Sequence, residues 1–456
     1  MQFEQPPHVW NRNFVLLWQG QLVSTIGTVA FNIALGFWVL RATGSSAVMG
    51  SVMATAALFQ VIGGPIGGAL ADRWSRKRII VITYLASGAA IIAGAGLLYA
   101  GRLEIWMVFV GAALLGLVAA VFQPAVRASI PDLVPEKELD KGNSAFGIIQ
   151  QLSGIIGNTL GGALYTWLGA PLLFLINGIT FVASSISEAF MRLPTPPRPG
   201  EEATRDERGP GDEATRDERG PGEEATRDER GPGETSSREE RKPHLAGELK
   251  EGWRFVWNNP VLRLQLLNIG TLNLFLTMGG VLYLPYFERS TQFLPTDYGL
   301  TMAFVTGGAL LGLVLLQFWT IPFKRRFALF AVLSGVFGVS RTLILSIPVL
   351  PVIMSFAFAS GFAVSIINTI VLSTLQGLTP ANMRGKVFGL LGSFTGGLIP
   401  LGTATGGILG DLFPITTVVP VTGIIATVGF LPLVLSKRVA RAYAGEGRLE
   451  HVGHSP

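Results

Sequence analysis

Long apolar runs alternate with short polar breaks along almost the whole chain. Twelve segments read as helices long enough to cross a bilayer: 14–40, 47–70, 79–100, 105–126, 144–167 and 172–191, then 261–287, 299–319, 327–347, 352–375, 387–411 and 415–436. About 20 predominantly apolar residues cover roughly 30 Å of hydrocarbon as a helix, and in lipid each backbone amide must be paired within its own segment. The pattern therefore predicts an all-α membrane protein with twelve transmembrane helices. Composition agrees, with 49% hydrophobic and 14% charged residues, where a soluble domain carries about 25% charged.

The breaks divide the chain further. Residues 1–191 are expected to form one six-helix bundle and 261–436 a second, with 192–244 as a linker, 245–260 as an interfacial helix and 437–456 as a tail. Within the linker an eleven-residue unit recurs three times from 200 to 232, as GEEATRDERGP, GDEATRDERGP and GEEATRDERGP. Its Gly-Pro breaks and high charge point to a solvated, disordered tether. After it, Leu245, Leu249, Trp253, Val256 and Trp257 fall near one helical face, the pattern of a helix lying on the membrane surface.

Charge then orients the chain. Excluding the linker, Arg73, Arg76, Lys77, Arg78, Lys324, Arg325, Arg326, Arg384 and Lys386 are among many bases in one set of loops, while the opposite set receives Arg41, Arg102 and Arg289. The positive-inside rule puts the first set, and both termini, in the cytoplasm of a multi-pass plasma-membrane protein. Residues 200–240 hold fifteen acids and seven arginines, so the rest of the chain is basic. Those bases sit at span ends, where lipid headgroups explain them better than nucleic acid does. The first residues show no cleavable signal pattern, so the first span is expected to be retained.

Reactive chemistry is sparse. The chain has no Cys, and His8, His244, His451 and His454 all lie outside the apolar runs. No thiolate or intramembrane histidine site, no metal, no cofactor and no nucleotide-binding Gly-rich loop is expected. An enzyme is accordingly the weakest functional class.

The halves echo each other. LVPEKELDKGNSAFGIIQ, starting at Leu133, parallels LTPANMRGKVFGLLG, starting at Leu378, and Arg76, Lys77 and Arg78 are echoed by Lys324, Arg325 and Arg326. Two similarly oriented six-span halves match the parallel-repeat plan of large secondary transporters.

The stretch GALADRWSRKRII, beginning at Gly68, resembles the cytoplasmic signature between spans two and three of the major facilitator superfamily. Gly68, Leu70, Asp72, Arg73, Arg76 and Lys77 match it, with Ser75 in place of a glycine. Residues 12–50 are similar to the opening of the drug-exporter branch that includes macrolide-efflux proteins and enterobactin exporters. The resemblance covers everything but the linker and tail. It implies the major facilitator fold, two pseudo-symmetric six-helix bundles that rock about a central cavity. Asp72 is expected to face the positive N-terminal end of the eleventh helix, near residues 385–387. Gly68, Arg73, Arg76 and Lys77 are its companions in a charge network that holds the cytoplasmic mouth shut.

GIIGNTLGG, beginning at Gly154, resembles the antiporter signature of span five: Gly157, Gly161 and Gly162 match, and Asn158 replaces the proline. Family analogy makes spans one, four, seven and ten the cavity lining. Their polar residues are Asn32, Gln123, Asn268, Asn273 and Asn368, with Phe31, Trp38 and Phe275 available for apolar contact. Each amide could instead be glue between helices. As a set they suit a hydrophobic or amphipathic molecule. Candidates for proton coupling are Glu188, Arg341 and Asp411. Glu188 lies near the cytoplasmic end of span six, close to Arg192, where an interfacial role competes with that of carrier. Arg341 has Asp411 as a candidate partner.

The expectation is therefore a monomeric, proton-driven exporter of multidrug or macrolide type, with protons, a small-molecule substrate and lipids as partners. A siderophore or lipid-like cargo is the alternative within transport, and a transport-inactive membrane sensor is the alternative outside it.

Overall fold

The computed structural model describes residues 8–193, 245–319 and 321–444, with all side chains in them except those of Asp72, Arg73, Leu245, Ala246, Glu248, Leu249 and Asn382. The repeats at 200–232, Thr320, His244 and the tail from 445 onward, with His451 and His454, lie outside the described residues.

The first half contains α1 (Arg12–Thr43), α2 (Ser46–Arg73), α3 (Arg76–Tyr99), α4 (Ile105–Leu133) and α5 (Leu139–Ala189). The second contains α6 (Leu245–Asn258), α7 (Pro260–Gly280), α8 (Tyr283–Arg289), α9 (Pro295–Phe318), α10 (Phe323–Leu343), α11 (Leu350–Leu378), α12 (Ala381–Leu412), α13 (Ile415–Val434) and α14 (Lys437–Tyr443). Eleven helices among the described residues are long and apolar enough to cross a membrane. One of these counts twice: α5 runs for 51 residues but breaks at Gly169, whose φ of 71° and ψ of 176° only glycine adopts readily, just before Pro171. The two arms of α5 are separate crossings, which makes twelve in two bundles.

Helix ends follow from local chemistry. The Asn11 side chain accepts from the amides of Asn13 and Phe14 to start α1, and Gly44 ends it with a φ of 68°. Asn259 caps α7, with Pro260 in the first turn. The seventh crossing, expected as one helix over 261–287, is interrupted between α7 and α8, where the Leu282 amide bonds to Gly279 O at 3.3 Å and tightens the turn.

Across the halves, α2 packs on α12 and α5 on α9. The cores reveal how closely the halves meet. At the end holding Gly44, one apolar cluster draws on both, joining Phe37, Leu40 and Met49 to Leu282, Leu284, Phe287 and Val418. At the other end each half has its own cluster: Phe14, Leu17, Ile80 and Met191 in the first, Leu266, Phe330, Val387 and Tyr443 in the second. The halves are sealed at one end and independent at the other.

Helix α6 carries a stacked pair, Trp253 and Trp257, with ring centroids 5.1 Å apart. Both rings are exposed, while Val256 beside them on the helix is buried in the second-half core. Lys386 of α12 bonds to Glu251 at 2.6 Å and fixes the helix against the bundle.

Candidate functional site

A cavity of about 570 Å³ opens within the first half. Helix α1 supplies Gln21, Ser24, Thr25, Thr28, Phe31 and Asn32; α2 adds Met53 and Gln60; α3 adds Tyr84 and Ser87; α4 adds Phe122 and Gln123; α5 adds Gln150, Asn177 and Phe181. The residues of the wall include no Asp, Glu, Lys or Arg. In its wall the Tyr84 hydroxyl accepts from Gln21 Nε2 and shares a hydrogen bond with Ser24 Oγ, both at 2.7 Å. Its ring is flanked by Phe122 and Phe181 at 4.6 and 5.2 Å. Hydroxyls and amides thus alternate with aromatic faces, which can hold an amphipathic molecule in several orientations.

Glu188 lies behind this wall. It is fully buried, and neither carboxyl oxygen has a hydrogen-bond partner among the described residues. It fits there because Gly20, next to Gln21, has no side chain: a Cβ on Gly20 would lie 2.7 Å from Glu188 Oε1. Near the end of α5, where its sequence position puts it, the Glu188 side chain is thus enclosed rather than exposed at the membrane surface. Arg192 is exposed, whereas the Glu188 side chain turns inward against α1 at Gly20.

Of the expected cavity residues, Phe31, Asn32 and Gln123 line this space. Asn268 donates to Gly429 O at 2.6 Å and joins α7 to α13, while Asn273 donates to Ile269 O within its own helix. Asn368 is exposed on α11, Phe275 is part-buried on α7, and Trp38 packs against the shared core. None of these five borders the cavity. The signal for what was missed sits in the sequence: Gln21, Ser24, Thr25, Thr28 and Asn32 form a polar stripe at helical spacing on α1.

The antiporter-like glycines perform close packing. A Cβ on Gly157 would lie 2.7 Å from Val29, and one on Gly161 2.9 Å from Ala30, so both bring α5 onto α1. Gly162 does this across the halves, where a Cβ would meet Pro295 O at 2.5 Å. Asn158 presents its carbonyl to Gly299 on α9.

In the charged stretch, Gly68 faces open space, whereas its neighbours Gly63 and Gly67 seat α2 on α4. Arg76 is bound within its own half, to Asp132 at 2.5 Å and to Ala128 O at 3.0 Å. Lys77 is part-buried, and the side chains of Asp72 and Arg73 lie outside those described.

The sealed end has its own polar contacts. Arg41 of α1 pairs with Glu288 of α8. Asp411, near the end of α12, accepts from Ser45 Oγ at 2.5 Å, from the Ser46 amide at 2.7 Å and from the Ala47 amide at 2.9 Å. Its charge partner is Arg289, at 2.9 Å. The pairing of Asp411 with Arg341 is thus corrected: Arg341 lies over the Tyr283 ring at 4.9 Å and donates to Leu276 O at 3.3 Å.

The family model of the Major Facilitator Superfamily matches residues 17–313. The chain belongs to that superfamily. It is a multi-pass membrane transporter and not an enzyme. A multidrug efflux pump, Tap, of Mycolicibacterium fortuitum is 27% identical over 382 residues, covering 82% of this chain and 83% of the pump. The macrolide efflux protein A of Streptococcus pyogenes is 24% identical over 417 residues, covering 88% and 90%. Among solved structures, a peptide transporter POT in complex with sulfate superposes with a TM-score of 0.64 at 16% identity, covering 94% of this chain and 95% of that one. That likeness concerns the fold.

Proposed function

We propose that this transporter exports hydrophobic or amphipathic compounds of multidrug or macrolide type across the plasma membrane, driven by the proton gradient. The observation that carries the reading is the cavity wall, which offers amides, hydroxyls and aromatic faces but no charged group. Such a wall rewards a large, weakly polar molecule and gives nothing to offset the desolvation of a small ion. Relatives named as efflux pumps along most of the chain support the direction. Loop charge assigns the basic end to the cytoplasm, so the sealed end faces outward and the cavity belongs to an inward-facing state of a monomer with both termini cytoplasmic.

Glu188 is the proton carrier in this reading. An unpaired carboxylate is costly at such depth, so the side chain holds its proton while the wall is closed. The proton is taken up while the cavity faces outward and leaves to the cytoplasm when, in the inward-facing state, water beside Gln21 and Tyr84 reaches Glu188. The cycle then exchanges substrate against a proton at adjoining rather than identical positions.

The test is uptake of a labelled macrolide into everted vesicles with an imposed pH gradient. Wild-type protein should accumulate it only with the gradient. Glu188→Gln should retain binding but lose about 100-fold or more of gradient-driven flux, the scale of a lost proton-transfer group. Full flux in that variant would remove Glu188 as carrier, and gradient-independent accumulation by the wild type would remove proton coupling.

A further inference from the structure

The contacts at the sealed end do more than fill space. The carboxylate of Asp411 takes the amides of Ser46 and Ala47, while Ser45 Oγ takes that of Val48 at 3.2 Å. The start of α2 is therefore completed by a residue from the other half of the molecule. Those amides have no partner within their own helix, and the helix dipole adds attraction for the negative charge. Arg289 closes the group: it donates to Asp411 at 2.9 Å, to Gly44 O at 3.0 Å and to Gly410 O at 3.1 Å. One cluster thus ties the end of α1, the start of α2, the end of α8 and the end of α12.

We propose that Asp411, held by Arg289, locks this end of the transporter shut through the bonds the two side chains make to residues 44–47 of the other half, formed when the halves close here and broken when they part. Three features favour a reversible lock over a static brace. The bonds of Asp411 to residues 45–47 and of Arg289 to Gly44 O cross the interface that must open for the cavity to reach this side, whereas the Arg289–Asp411 bond stays within the second half and holds both in place. The side chains remain 27% and 39% exposed, so water can replace each partner without stranding a buried charge. The apolar seal around them joins both halves and must part in the same movement. The antiparallel run of α2 and α12 also sets Asp411 near the end of one helix and beside the start of the other, while Asp72 occupies the corresponding position near the end of α2.

The absence of native cysteine makes the test direct, since introduced cysteines need no background removal. Spin-label pairs at Arg102→Cys with Val349→Cys report the sealed end, and pairs at Arg78→Cys with Lys324→Cys report the other. Pulsed electron–electron distances are then measured in nanodiscs for the parent and for Asp411→Asn. Losing the charge while keeping the shape should raise the open-to-closed ratio at the sealed end by about tenfold, the scale of a lost helix cap. The other pair should shorten correspondingly, and Asp411→Glu should recover part of the closed population. Unchanged distributions, or a broadening at both ends without opposite shifts, would overturn the lock. If Asp411→Asn yields no folded protein, Arg289→Gln replaces it, because it removes the cation and leaves the cap: opposite shifts at the two ends support the lock, and unchanged distributions overturn it.

Discussion

Arg76 at the start of α3 reaches Asp132 near the end of α4, with Nη1 2.5 Å from the carboxylate and 3.0 Å from Ala128 O. The side chains are only 25% and 20% exposed, so this bond ties two neighbouring helices of one half in partly desolvated surroundings. Charge-assisted bonds of this kind contribute about 1.5–3 kcal/mol. Asp132→Asn should insert normally yet lower the thermal unfolding midpoint of purified protein, whereas Arg78→Gln, altering an exposed neighbour, should not. Equal midpoints for the two variants would make the Arg76 contact incidental.

Asp72 makes a different prediction, because its expected partner belongs to the other half. Asp72→Asn should reach the membrane in normal amount and transport poorly, with the loss in turnover rather than in apparent affinity. Surface expression and initial efflux rates measured side by side check this. Flux at the wild-type level would take Asp72 out of gating.

The interface glycines can be ranked by what surrounds them. A methyl on Gly162 would be driven to 2.5 Å from Pro295 O and 3.1 Å from Gly299 Cα, and both neighbours are backbone. Gly111 has nothing within 4 Å. Overpacking costs about 1–3 kcal/mol, so Gly162→Ala should weaken the fit of α5 on α9 and slow transport several-fold. Gly111→Ala should match the wild type in yield and rate. Paired efflux assays normalised to membrane protein distinguish the two.

The crossings were legible in the sequence because lipid permits few alternatives: run length and charged breaks point the same way. The polar stripe from Gln21 to Asn32 carried the cavity face of α1 in its spacing. What could not be read was rotation and pairing between distant elements. Asn32 and Asn268 look alike as isolated amides, yet one faces the cavity and the other is satisfied by Gly429. The bond of Asp411 to residues 45–47 joins segments separated by more than 360 positions and leaves no local pattern. Glu188 was visible as a charge in an apolar run, but its burial depends on the gap at Gly20, in another helix.

Tyr84 offers a prediction at the cavity itself. Tyr84→Phe keeps the ring between Phe122 and Phe181 but removes the hydroxyl that joins Gln21 to Ser24. The freed amide should point in more than one direction, so substrates with several polar groups should lose apparent affinity several-fold while wholly apolar ones change little. A panel of substrates graded by polarity, assayed for concentration dependence, checks this; a uniform effect across the panel would detach Tyr84 from recognition.

The last prediction concerns α14, which follows the final crossing yet belongs to the second-half core. The Tyr443 ring is buried beside Phe330, with centroids 5.1 Å apart, and its hydroxyl accepts from Gln265 Nε2 at 2.5 Å. Burial pushes the Tyr443 phenol above its usual range, so the folded state favours the neutral form. This stabilisation is fully present below the unfolded pKa of about 10 and is lost as pH rises through the higher folded value. Tyr443→Phe keeps the ring but leaves Gln265 buried without its partner, at a cost of about 1–3 kcal/mol. Gln265→Leu in the same background removes the orphaned amide and should recover much of that loss. Thermal unfolding of the two single variants and the double variant, compared as a mutant cycle, measures the coupling. Strict additivity would mean that α14 is held by its apolar contacts alone.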